Sequence, residues 1–172
     1  MSRQFTFVRR ITLLLVAGIV LASCSPSSKL ELGPPVDDRP VEFSVDESFF
    51  ELNRTRQRFF LAGFQQDARL MEAAQRHANL MGSTGKFGHE FGPSTKFKTR
   101  IFSVGFDNSA GENIGVGYRS IQAAIKGWLD SPGHRKILLK KRYTLGGIAY
   151  APNTSGKNPR LNHFWVLIVG AE

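Results

Sequence analysis

Glu112 and His134 are the residues whose types and placement could do chemistry together, in the stretch GENIGVGYRSIQAAIKGWLDSPGHRKILL at 111–139. A carboxylate and an imidazole can exchange a proton, hold a hydrogen-bonded ligand or share a divalent cation. Between them, apolar residues at 121, 124, 125, 128 and 129 have the spacing of one buried helical face, and Ser120 is a natural N-cap for it. Ser131-Pro132-Gly133 breaks that helix, while Ser followed by Pro also opens a new short one. His134 then falls in a first helical turn. There the positive end of the helix dipole disfavours the imidazolium, so the ring stays neutral, able to accept a proton or bind a metal.

The elements that must position these groups can be taken in chain order. Ser44 and Glu47 have capping-box spacing, and Phe49, Leu52, Arg56 and Phe59/Phe60 continue at helical spacing. Asp67 opens a second helix with Leu70, Ala73, Ala74, His77, Ala78 and Met81 on its apolar face. His77 on that face is read as a hydrogen-bonded core histidine. From Gly82 to Gly111 the chain is glycine-rich and irregular, apart from a short helix suggested by Phe97, Arg100, Ile101 and Val104. Long connections of this kind are more often functional than decorative. His89 lies within it, in GKFGHEFG, flanked by glycines that let the backbone approach another element.

Tyr143–Ala151 and Leu161–Val169 read as strands, joined by the polar turn region PNTSGKNPR and so most simply antiparallel; Glu112–Val116 supplies a third. His163 is expected to cap the sheet edge, and Arg135 to pair with a surface carboxylate. Helices around a small central antiparallel sheet give an α/β fold, a three-layer α/β/α sandwich. About 130 residues from Ser44 onward can bury roughly two thirds of their unfolded surface, enough for one independent domain.

Before that domain come two segments of different composition. Arg9-Arg10, an apolar run from Ile11 to Ala22, and Leu21-Ala22-Ser23-Cys24 read as a lipoprotein signal peptide over 1–23, with Cys24 the lipid-bearing residue. The only cysteine of an exported chain has no disulfide partner and needs another explanation. Residues 24–43, rich in Ser, Pro and charge, read as a flexible tether, and residues 44–172 as the globular domain. The expected address is therefore the cell envelope: lipid-anchored to the cell membrane or outer membrane, facing periplasm or exterior. The net charge of +9 is scattered, with three of the positive residues in the leader, and no groove-reading or stacking motif accompanies it. No nucleic-acid partner is expected; attraction to an anionic envelope surface fits better.

The succession Asn53-x-x-Arg56, Ala74-Gln75-Arg76-His77-Ala78, His89, Gly111-Glu112-Asn113-Ile114, Trp128-x-x-Ser131-Pro132-Gly133-His134-Arg135, Gly146-Gly147-Ile148-Ala149 and Phe164-Trp165 resembles the bacterial branch of the CAP superfamily (cysteine-rich secretory, antigen 5 and pathogenesis-related proteins, also called SCP-like or allergen V5/Tpx-1 related). The resemblance covers essentially all of residues 44–172. It implies a cleft lined by His89, Glu112 and His134, with Ser131 and Asn113 at its edge. The second acid of eukaryotic members falls at Ser131 here, and Asp130 lies about 100° off that helical direction.

Several chemistries fit such a set. His89, His134 and Glu112 could hold a divalent metal, zinc first, with positions left open. A metal-dependent hydrolase of envelope peptides or esters is one alternative, although no H-E-x-x-H pattern is present; a Ser131–His134–Glu112 triad is another. A buried His/Glu network in an interaction scaffold is the third. The expectation favours binding over catalysis, with a lipid, glycan or peptide as ligand.

Overall fold

The computed structural model describes residues 40–172. The expected signal peptide, Cys24 and nearly all of the expected tether lie outside the described residues. Two residues from the end of that tether stretch, Val41 and Phe43, pack on the domain, with Phe43 against Tyr150 and Trp165.

Local signals start the helices where the sequence puts them. Ser44 caps α1 (Val45–Gln57), its Oγ accepting from Glu47 N. The reciprocal half of the capping box is diverted, because the Glu47 carboxylate accepts from Gln122 instead. Asp67 caps α2 (Ala68–Thr84) by accepting from the backbone of Arg69 and Leu70. Gly85 ends α2 at φ 64, a left-handed conformation that costs glycine nothing. α3 spans Phe97–Ser103. Ser120 caps α4 (Ile121–Asp130), and Ser131 with Pro132 opens α5 (Pro132–Leu138). Among the described residues no helix is long and apolar enough to cross a membrane.

Four strands, β1 (Gln65–Gln66), β2 (Ala110–Gly115), β3 (Leu145–Ala151) and β4 (Phe164–Gly170), form one sheet in the order β1-β3-β4-β2. β4 pairs antiparallel with β3, as the short connection between those two strands predicted, and antiparallel with β2 on its other side. The two-residue β1 pairs parallel to β3, so the sheet is mixed. Nothing in Gln65-Gln66 alternates, and its pairing depends on β3 rather than on its own pattern.

β4 shows how one strand organises two cores. Trp165, Leu167 and Val169 face α1, α4 and α5, while Phe164, Val166 and Ile168 face α2 and α3, and all six are buried. A strand covered on both faces is apolar throughout, which is what its sequence shows. α2 lies so close over the sheet that a Cβ on Gly147 would fall 2.2 Å from the backbone carbon of Leu70. Only glycine permits that approach.

Arg56 ties the α1 end to distant backbone. Fully buried, it donates to Ala62 O and Leu138 O at 2.7 Å and to Tyr143 O at 2.8 Å, with its guanidinium 4.0 Å from the Phe64 ring centroid. One turn earlier, Asn53 both donates to Phe64 O and accepts from Phe64 N. The Asn53-x-x-Arg56 pair thereby fixes the chain leading into β1.

Candidate functional site

β2 is an edge strand, and its successive residues point to opposite faces of the sheet. Glu112 and Asn113 therefore serve different layers. Glu112 faces the segment carrying His89 and α3; Asn113 faces α5 and donates to His134 O at 2.9 Å. The site straddles the edge of the sheet rather than occupying one face.

The Glu112 side chain is 3% exposed and carries two partners. His89 Nδ1 lies 2.9 Å from Oε1, and Arg100 donates from Nη2 to the same oxygen at 2.9 Å. Arg100 Nη1 sits 2.8 Å from Oε2, close enough for an ion pair though misaligned for a hydrogen bond. Burial by itself raises the Glu112 pKa, but the hydrogen bonds from His89 and Arg100 and the guanidinium charge prevail, and the carboxyl is held below its usual range. Arg100 also donates to Thr95 O and to His89 O, so one guanidinium joins α3, the His89 segment and β2.

His89 is half exposed at its side chain. Because a carboxylate only accepts, Nδ1 carries the hydrogen toward Glu112, and a neutral ring leaves Nε2 as a bare acceptor directed elsewhere. The segment holding it is pinned from below. His77, completely buried on α2, donates from Nε2 to Gly88 O at 3.0 Å, which settles its tautomer and leaves Nδ1 without a partner. Desolvation lowers the His77 pKa and keeps the ring neutral. The core histidine expected from the helical pattern is thus also a support for the site.

His134 is partly buried in the first turn of α5. Its pKa is lowered by desolvation and then by the charge of His89, so the two rings feel each other. The neutral form expected from the helix end is the form favoured, with burial as the leading cause. No hydrogen bond joins His134 to Glu112 among the described residues. Ser131 occupies the N-cap position in extended conformation, but its side chain makes no capping bond.

The other expected placements differ in detail. Trp128 is core and donates to Ile114 O. His163 is buried rather than a simple edge cap: at φ 58 it contacts Tyr150 Oη at 2.8 Å and accepts from Arg119 at 3.1 Å. Arg135 lies over the Phe59 ring rather than beside a carboxylate. Arg100 was the functional residue not singled out. Its signal was present, since a cation at the same helical spacing as Phe97, Ile101 and Val104 turns inward and needs a buried partner.

The donor set bears on zinc. Among the described residues no group of three or more His, Cys, Asp or Glu is arranged to hold a metal ion. Glu112 could ligate only by giving up Arg100. What remains is a pair of imidazoles, with Glu112 behind His89 in the place of a carboxylate that orients a metal-binding ring.

The sequence profile of CAP, the cysteine-rich secretory protein family, matches residues 50–169. An uncharacterised membrane protein of Bacillus subtilis, YlbC, is 36% identical over 112 residues, covering 64% of this chain and 32% of its own length. A second Bacillus subtilis protein, YkwD, is 31% identical over 107 residues, covering 60% and 40% respectively. The chain therefore spans well under half the length of either. Among solved structures, an extracellular protein of Bacillus anthracis containing an SCP domain superposes with TM-score 0.64 at 25% identity, over 74% of this chain and 40% of that one. An outer surface protein from Borrelia burgdorferi gives TM-score 0.62 at 20% identity, over 76% and 96%, a likeness of fold.

Proposed function

The chain belongs to the cysteine-rich secretory protein (CAP) family, and from that premise we propose an exported envelope lipoprotein, anchored through Cys24, whose cleft at the β2 edge binds a polar ligand through His89 and His134. Its relatives include extracellular and outer-surface proteins, which supports the envelope address. The observation that carries binding over turnover is the Arg100 guanidinium on Glu112. A carboxylate whose oxygens are both engaged and whose pKa is depressed is a poor general base and a poor nucleophile. It makes a rigid floor instead.

On that floor His89 presents Nε2, His134 supplies a second imidazole, its pKa lowered by burial, and Asn113 fixes the His134 backbone. Hydroxyl, amide or carboxyl groups of a glycan, peptide or lipid headgroup match such donors and acceptors. Zinc fits these residues only as a two-histidine site, His89 through Nε2 and His134, with Glu112 orienting the first ring. Zinc bound there would supply open coordination positions for a ligand oxygen.

Histidine-ring NMR of the full chain, titrated with zinc chloride and separately with a cell-wall glycan fragment, tests the reading. The His89 and His134 resonances should move together while buried His77 stays still, and His134→Ala should abolish the response. Cleavage of the fragment by the parent but not by His134→Ala would establish hydrolysis instead. Rings unmoved by either probe would remove the binding assignment.

A further inference from the structure

Away from the cleft, the turn after α1 and the end of α5 are drawn together by Arg56, which donates to Ala62 O on one side and to Leu138 O and Tyr143 O on the other. That contact sets Phe59 under Arg135, whose guanidinium lies 5.1 Å from the ring centroid. Phe60 follows at φ 57 with 98% of its surface exposed. Close by, a shallow groove of about 500 Å³ is lined by Pro132, Arg135, Lys136, Leu139 and Lys140. Three of those five are cations and none is acidic.

Folding does not account for Phe60. A phenyl ring in water and a left-handed backbone at a bulky residue are both unfavourable, and glycine or asparagine would close the same helix end without either cost. The combination differs from a protein-binding patch, whose centre is flat, apolar and depleted of charge. A single aromatic at a turn tip, with cations grouped beside it, is the pattern suited to a bilayer interface.

We infer that this face docks on an anionic membrane surface, with Phe60 entering the headgroup region and Arg135, Lys136 and Lys140 taking lipid phosphates. Charge complementarity selects the occupant, since each cation near an anionic leaflet adds favourable energy and the groove opposes it with no carboxylate. The consequence deepens the envelope reading and rests on it. α5 carries His134 as well as Arg135 and Lys136, with His134 about 200° of helical rotation from Lys136, so docking fixes the orientation of the helix and turns the imidazole away from the docked face.

The test uses the full chain carrying Phe60→Trp. Trp128 and Trp165 are each 1% exposed, so their emission already reports a buried environment. Phosphatidylcholine vesicles containing phosphatidylglycerol should shift the new tryptophan's emission to the blue; phosphatidylcholine alone should not. Replacing Arg135, Lys136 and Lys140 by glutamine in the reporter should weaken the response on the order of a hundredfold, about fivefold per cation, with the melting curve retained. Flotation with neutral vesicles reports the Cys24 anchor separately, so anchor and docking face can fail independently. No shift on anionic vesicles overturns the inference. So does the same shift with polyglutamate, which would assign a protein partner, or loss of vesicle binding at millimolar inorganic phosphate, which would assign a free-phosphate site.

Discussion

Changing Glu112 to glutamine preserves the shape of a buried side chain and deletes its charge, which isolates what the ion pair does. Glu112 and Arg100 expose only 3% and 9% of their side chains, and stripping one partner from a buried pair costs roughly 3–5 kcal/mol. Arg100 keeps acceptors at Thr95 O and His89 O and a contact with the Phe97 ring, so the loss belongs near the lower end, about 3 kcal/mol. For a domain of about 130 residues that lowers the melting temperature by roughly 12 °C.

The pH dependence provides a second, independent readout. Glu112 titrates below its ordinary value of 4.5 in the folded protein, so over that interval the unfolded chain binds more protons and stability rises with pH. Its contribution is fully present above the unfolded value and is lost as pH falls through the folded one. Glutamine does not titrate, and the variant should lack this part of the acid limb. Urea unfolding followed by circular dichroism between pH 3 and 7 measures both effects. A loss under about 1 kcal/mol at pH 7 with the acid limb unchanged would refute the buried-pair account. Adding Arg100→Met to the variant should recover part of the loss, because no unpaired charge then remains.

Two further substitutions probe the scaffold. Gly147→Ala should cost about 3 kcal/mol and shift the urea midpoint accordingly, since the new Cβ meets α2 backbone rather than a side chain able to move; a neutral effect would mean α2 can lift from the sheet. Arg56→Lys should lose on the order of 2 kcal/mol in the same assay, because an ammonium cannot reach three carbonyls in three directions as the planar guanidinium does. Wild-type stability in that variant would show the carbonyls finding other donors.

Much of the architecture follows from signals only a few residues long. Ser44, Asp67 and Ser120 cap their helices through backbone groups two or three positions away, and Ser131-Pro132 starts α5 where local chemistry permits a start. The helical face of α2 and the unbroken apolar run of β4 declare their burial by composition and period. The candidate residues Glu112, His89 and His134 were likewise visible as types.

Which of them touch was decided elsewhere. Glu112 meets Arg100 and His89 across 12 and 23 residues, and Arg56 reaches carbonyls more than 80 residues away. Such pairings depend on the register between β2 and its neighbours and on the depth at which α3 packs, neither of which any short window encodes. The sequence alone determined the helices, the three long strands, their caps, their buried faces and the family; tertiary structure alone added β1 and made Glu112 a charge-paired floor beneath His89. The reason is physical: caps and periodicity act through the backbone within a turn or two, whereas a buried charge takes its state from whatever partner packing brings to it.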